Sequence, residues 1–177
     1  QKYPANDNIA YAYFLLGICY YELIVDEKKD LSPLLNSRKY FNIVIKDYPN
    51  TDFALDAKFK LDLIDNVLAS KEVYIGKYYI SRKKWIPAIN RFKNVVNHYE
   101  KTEYVEEAIH RLVEINYIIG LEDEARKYAS LLGYNYQSSK WYEESYRVFN
   151  KDYQNPKAKI KKDKKNIIIK NFKKLFK

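Results

Sequence analysis

The side chains that could carry out covalent or acid–base chemistry are few and scattered. One cysteine, Cys19, and two histidines, His98 and His110, are the only thiol and imidazole groups in 177 residues. Cys19 sits between Ile18 and Tyr20 in an apolar stretch, the setting of a small buried hydrophobe rather than a nucleophile or a metal ligand. A lone cysteine closes no internal disulfide. The histidines fall on different expected helices, without a cysteine or carboxylate read at ligand spacing around them, and His98 occupies a polar helix-end position. Glu106 and Glu107, like Glu143 and Glu144, are adjacent on helices, so their side chains diverge and read as solvated faces. No glycine-rich phosphate loop, nucleophile elbow or zinc-binding helix is present. The expectation is a protein without a catalytic centre, a metal or a cofactor.

What remains is the chemistry of contact. The chain holds 19 Tyr, 8 Phe and 2 Trp. Clusters such as Tyr11, Tyr13, Tyr20 and Tyr21, or Tyr78, Tyr79 and Trp85, contain more rings than the packing positions of a helical turn require. A share of them is expected to face outward and give a partner rigid, amphipathic contact, the rest packing between helices. The formal charge of +9 equals that of residues 157–177, where ten Lys face a single acid, Asp163. The remainder balances and gives nucleic-acid binding no electrostatic footing. Within the tail, Ile168, Phe172, Leu175 and Phe176 fall on one helical face among lysines. That pattern suits an anionic lipid surface, a partner groove or a segment without fixed structure.

These residues must be held by helices, because Gly (4) and Pro (5) are scarce and the bulk is aromatic. An internal repeat sets the frame. Lys46-Asp47-Tyr48-Pro49-Asn50-Thr51-Asp52-Phe53 lies over Asn97-His98-Tyr99-Glu100-Lys101-Thr102-Glu103-Tyr104 at an offset of 51 residues. Ala57 over Ala108, Leu61 over Leu112, Phe41 over Phe92 and Val44 over Val95 extend it. The spacing fits the tetratricopeptide pattern, in which small residues let paired helices approach and an aromatic fills the wedge. Tyr13, Leu16, Gly17 and Tyr20 take the first-helix positions, Ser37 and Phe41 the second-helix ones and Pro49 the stop. The hairpin between them is long, with an excursion expected over Asp26 to Leu35. A second unit has Ile75, Gly76 and Tyr79, then Ala88 and Phe92, with Glu72 where an aromatic is usual. A third is weaker, with Ile109 and Leu112, then Ala125 and Ala129.

Helices are expected over 53–69, 71–82, 85–98, 103–119, 122–132 and 138–150, with breaks at Gly120 and Gly133. The expected fold is all-α, a tetratricopeptide-repeat superhelix of antiparallel helix pairs. It spans residues 1–155 with a truncated first repeat, followed by a basic tail over 156–177. No run of 18 apolar residues spans a bilayer and no targeting signal is visible. A chain opening at Gln1 rather than Met is expected of a mature or trimmed form.

The segments Lys46-Asp47-Tyr48-Pro49-Asn50-Thr51, the long helix carrying Ala57 and Leu61, Tyr78-Tyr79, and Trp85-Ile86-Pro87-Ala88-Ile89-Asn90-Arg91-Phe92 together resemble the BamD family. These are the tetratricopeptide lipoproteins of the outer-membrane β-barrel assembly machinery. The resemblance covers about residues 8–150. It implies a non-catalytic scaffold on the periplasmic side of the outer membrane, tethered by an N-terminal lipidated cysteine and needing no cofactor, that helps fold and insert β-barrel proteins. The partners it implies are a polypeptide-transport-associated (POTRA) domain of the central barrel subunit, smaller assembly lipoproteins and unfolded outer-membrane proteins. By position, Arg91 matches a family arginine that pairs with an acidic residue of that POTRA domain, and Tyr78 and Trp85 are its expected neighbours in partner binding. Two features depart from the family. The lipid-bearing cysteine has no counterpart, Cys19 lying inside a helical stretch, and the short first repeat is expected to impair substrate capture. The tail, also without a counterpart, is expected to touch anionic lipid or a partner near the membrane. A generic periplasmic repeat adaptor, coordinating cell-envelope or division proteins, is the alternative; it shares the helix stops but not the Trp85–Phe92 segment.

Overall fold

The computed structural model describes residues 7–23, 30–137 and 139–153. Among the described residues seven helices follow one another: α1 (Asp7–Glu22), α2 (Ser32–Asp47), α3 (Asp52–Ser81), α4 (Trp85–His98), α5 (Val105–Ile118), α6 (Glu122–Asn135) and α7 (Lys140–Phe149). No strand occurs among the described residues. Two compact units divide the chain, Gln1–Val105 and Glu106–Lys177.

The repeated Tyr-x-x-Thr segments become repeated geometry. Tyr48 N–H closes α2 on the Val44 carbonyl and Tyr99 N–H closes α4 on the Val95 carbonyl, each at 2.9 Å. Thr51 then donates its hydroxyl to the Tyr48 carbonyl at 2.9 Å and accepts from Ala54 N–H at 3.3 Å, capping α3. Thr102 donates to the Tyr99 carbonyl at 2.7 Å in the same way. The turns inside the helix pairs match as well. After α3, Lys84 N–H reaches the Tyr79 carbonyl at 2.9 Å and Lys83 N–H the Ile80 carbonyl at 2.8 Å; after α5, Leu121 N–H reaches Asn116 at 2.8 Å and Gly120 N–H reaches Tyr117 at 3.1 Å. Both are Schellman closures, which need a left-handed residue just past the helix. Gly120 supplies it at φ 83°, whereas Lys83 does so at φ 55° despite its Cβ.

In the first unit, Gly17 of α1 faces Phe41 of α2, and Gly76 of α3 faces Phe92 of α4. A Cβ on Gly17 would lie 2.5 Å from the Phe41 ring, and one on Gly76 2.6 Å from the Phe92 ring. Both rings are fully buried, each contributing roughly 2–3 kcal/mol by burial. Ser37, at the small position before Phe41, donates its hydroxyl to the Gly17 carbonyl at 2.8 Å. Leu34, Val44, Ala54, Ala57, Ile64 and Leu68 complete the core joining α2 to α3.

In the second unit the wedge is inverted. Val113 of α5 stands where Gly17 and Gly76 stand, and Ala129 of α6 where Phe41 and Phe92 stand, so the bulk comes from the first helix of the pair. Val113, Ala125 and Ala129 are buried together, with Tyr128, Tyr146, Val148 and Phe149 packed around them.

Four local expectations are corrected. The break near Ser70 does not occur: no Pro or Gly interrupts Phe53 to Ile75, the Ser70 hydroxyl bonds back to the Val67 carbonyl at 3.0 Å, and α3 runs through for 30 residues. Gly133 is no break either. It lies inside α6, where an added Cβ would meet the Tyr142 ring at 3.0 Å, so its smallness serves packing against α7. The excursion expected over Asp26 to Leu35 ends early, because α2 starts at Ser32 with Pro33 in its first turn; residues 26–29 lie outside the described residues. Cys19 is exposed rather than buried. The reason is that α1 is apolar nearly all round: Tyr13 and Gly17 face α2, which turns Cys19 outward with Leu15, Leu16 and Leu23.

Candidate protein-binding site

Tyr78 and Tyr79 end α3, Arg82-Lys83-Lys84 make the turn, and Trp85 opens α4. Six residues further on, Arg91 points back to α3 and gives Nη1 to both carboxylate oxygens of Glu72, at 3.2 and 3.3 Å. The Arg91 side chain is still 41% exposed, while Glu72 retains only 16%. The pair sits in an open groove of about 370 Å³ whose polar lining adds Asn90 and Asn94 and whose apolar lining is Tyr79, Ile86 and Pro87.

Of the residues expected to bind a partner, Arg91 therefore lines a groove. Tyr78 and Trp85 do not; their chain neighbours Tyr79 and Ile86 do. Tyr78 is exposed, packs edge-on to Tyr79 at 5.9 Å and carries the Arg82 guanidinium over its face at 5.5 Å. Trp85 is half-buried. Ile168, Phe172, Leu175 and Phe176 lie outside the described residues.

The groove's electrostatics were readable in the sequence but hidden by averaging. Residues 73–99 contain Lys77, Arg82, Lys83, Lys84, Arg91 and Lys93 and not one Asp or Glu. The tail is thus not the only cationic stretch; this one, bounded by Glu72 and Glu100, contributes Arg91 to the groove, where Glu72 is the facing acid. Glu72 was visible too, as an acid in an aromatic slot. In the first pair, the same slot and its partner position hold Tyr13 and Tyr40, stacked at 6.4 Å, with Tyr20 also stacked on Tyr40 at 5.6 Å.

A second hollow, of about 410 Å³, lies between the middle of α3 and the end of α4, with His98 on its rim as the last residue of that helix. Burial pushes the Asp65 carboxyl up against the pull of Arg38, whose Nη2 is 3.4 Å away, and burial also raises the Tyr99 phenol. Its lining mixes Lys58 and Lys101 with Asp62, Asp65 and Glu100, so it offers no single sign of charge to a ligand.

The imidazole of His110 has more company than the sequence suggested. It is 3% exposed; Nδ1 lies 2.8 Å from Ser145 Oγ on α7, and Nε2 lies 3.4 Å from Glu114 and 4.0 Å from Glu144. Glu114, one helical turn after His110, escaped notice because such a spacing also occurs on any solvated helix. Burial alone raises the Glu114 carboxyl, yet hydrogen bonds from His110 and Arg111 hold it down at about 2. Arg111 spans Glu107 at 3.3 Å and Glu114 at 2.6 Å and lies 5.4 Å from the Trp141 ring. Glu107, bonded to Arg111, and Glu143, bonded to Arg147 at 2.6 Å, are therefore engaged groups, whereas Glu144 is 48% exposed and fits a solvated face. Ser145 is completely buried, so the Ser–His–Glu sequence of contacts has no route for a substrate and joins α5 to α7. Among the described residues no group of His, Cys, Asp and Glu is arranged to hold a metal ion, and no helix is long and apolar enough to cross a membrane.

Comparison with known proteins gives the site a context. The family description "Outer membrane lipoprotein" (YfiO) matches residues 1–131. The outer membrane protein assembly factor BamD of Rickettsia prowazekii is 48% identical over 153 residues, covering 86% of this chain and 61% of that protein. The protein of the same name from Caulobacter vibrioides is 39% identical over 148 residues, covering 84% and 48%, and that of Neisseria gonorrhoeae 28% over 127 residues, covering 66% and 47%. The chain thus spans roughly half to three-fifths of the length of these curated relatives.

Proposed function

The chain belongs to the YfiO family of outer membrane lipoproteins, which includes BamD, and from that premise we propose that it is a non-catalytic scaffold subunit of the complex that assembles β-barrel proteins into the outer membrane. It works from the periplasmic side. Its Arg91 groove takes hold of a POTRA domain of the central barrel subunit, while smaller lipoproteins and unfolded barrel proteins are its further partners. A lipid on an N-terminal cysteine ties the whole protein to the membrane, and the basic tail adds contact with anionic lipid.

The observation that carries this reading is the groove itself: a guanidinium left 41% exposed although paired with Glu72, and the amides of Asn90 and Asn94 beside it. A carboxylate docking there loses water and gains a charge-assisted, forked hydrogen bond, the interaction for which Arg is suited above Lys. Arg91→Glu replaces it with repulsion. It is expected to weaken binding of an isolated POTRA-type domain by about 2 kcal/mol or more in isothermal titration. Unchanged affinity removes Arg91 from the interface, and a partner drawn from cell-division proteins instead supports the adaptor reading.

A further inference from the structure

The three helix pairs share one frame, and one position in it is filled in two chemically different ways. In α1 and α2 it holds Tyr13 and Tyr40, ring on ring. In α5 and α6 it holds Ile109, buried, and Tyr128, packed on the core. Only α3 and α4 place charges there, as Glu72 and Arg91. Folding a hairpin of this type does not demand charge at that point, since two of the three do without it. Departures from a local packing rule without a gain in stability mark functional positions.

The geometry of the pair says what it is for. Arg91 spends one nitrogen, Nη1, on both oxygens of Glu72. Its Nε and Nη2 have no hydrogen-bond partner among the described residues. A guanidinium is a rigid planar fork with five N–H donors, so fixing one nitrogen fixes the direction of the unused Nε–Nη2 edge as well. We propose that Glu72 is a positioning residue that holds Arg91 by Nη1 so that its free edge is presented, already oriented, to a carboxylate on a polypeptide partner. The bound state is a guanidinium between two carboxylates, whose mutual repulsion the cation between them offsets. The gain lies in ordering a long side chain before the partner arrives rather than after. This inference rests on the POTRA reading for the partner's identity, but not for the chemistry of the groove.

The test uses the full chain with three changes: Glu72→Ala, Glu72→Gln, and the double change Glu72→Tyr with Arg91→Tyr, which transplants the α1–α2 ring pair. Two readouts are needed: affinity for a POTRA-type domain, and the ¹⁵N resonance of Arg91 Nε–H during titration with sodium acetate against sodium chloride at equal ionic strength. Glu72→Ala is expected to weaken POTRA binding on the order of tenfold, the factor that ordering one long side chain costs. Glu72→Gln should recover most of the loss, because its amide oxygen still accepts from Nη1. The ring transplant should keep the wild-type melting temperature and not bind. Wild-type affinity in Glu72→Ala overturns the proposal while leaving the POTRA reading intact, and a ring transplant that melts well below wild type shows the charge pair to be structural. If the wild-type chain binds no POTRA domain, the functional reading fails and the acetate arm decides. An acetate-specific shift that Glu72→Ala diminishes upholds the positioning role; no shift, or one that Glu72→Ala leaves unchanged, removes it.

Discussion

An ion pair as open as that of Arg91 with Glu72 contributes between nothing and about 1 kcal/mol to folding, so stability alone does not account for the charges at that position. His110 and its neighbours are the opposite case. There the imidazole is buried, Ser145 is buried, and Glu114 is engaged from two sides. Because the folded Glu114 carboxyl, at about 2, lies below its ordinary 4.5, its stabilising effect is complete above pH 4.5 and is lost as the pH falls toward 2. The linkage amounts to no more than about 3 kcal/mol, and less after solvent screening, since the side chain is 32% exposed. Acid unfolding followed by circular dichroism should therefore steepen below pH 4.5 in the wild-type chain and flatten in Glu114→Gln. An identical acid limb in the two would place the titration elsewhere. Arg91 was singled out by its motif, and Glu72 was noted only as an acid in an aromatic slot. Glu114 was not, because what distinguishes it is the cover provided by α7, and no spacing within α5 states that.

At the scale of the element, the helix stops were the most legible features, since Tyr48 with Thr51 and Tyr99 with Thr102 close and cap by hydrogen bonds that depend on local sequence alone. The length of α3 was not, because a two-helix repeat suggests a break wherever one pair ends and another begins, yet α3 belongs to both neighbouring pairs and lacks a residue that would stop it. The turn after α3 is the counterpart of the turn after α5, and comparing them yields a prediction. Lys83 at φ 55° carries the strain that Gly120 at φ 83° avoids. Lys83→Gly should raise stability by up to about 1 kcal/mol, seen as a melting temperature a few degrees higher. A lower melting temperature would mean that the Lys83 side chain contributes more than its backbone costs. Cys19 shows the limit of periodicity: α1 is apolar on both sides, so its sequence could not say which side meets α2.

For the molecule as a whole, the even charge of the body concealed its most useful property. Averaged over all but the tail, acids and bases cancel, and only when the helices are known does the acid-free stretch 73–99 resolve into the end of α3, a turn and α4 around one groove. The all-α repeat fold followed from the frame of the repeat; the proposed partner site lies at the one pair in which that frame departs from its rule. Chemical-shift mapping of the full ¹⁵N-labelled chain with an unlabelled POTRA-type domain tests this most directly. The largest perturbations should fall on the end of α3, the Arg82–Lys84 turn and the exposed side of α4 around Arg91, and perturbations confined to α1 or to the second unit would contradict it.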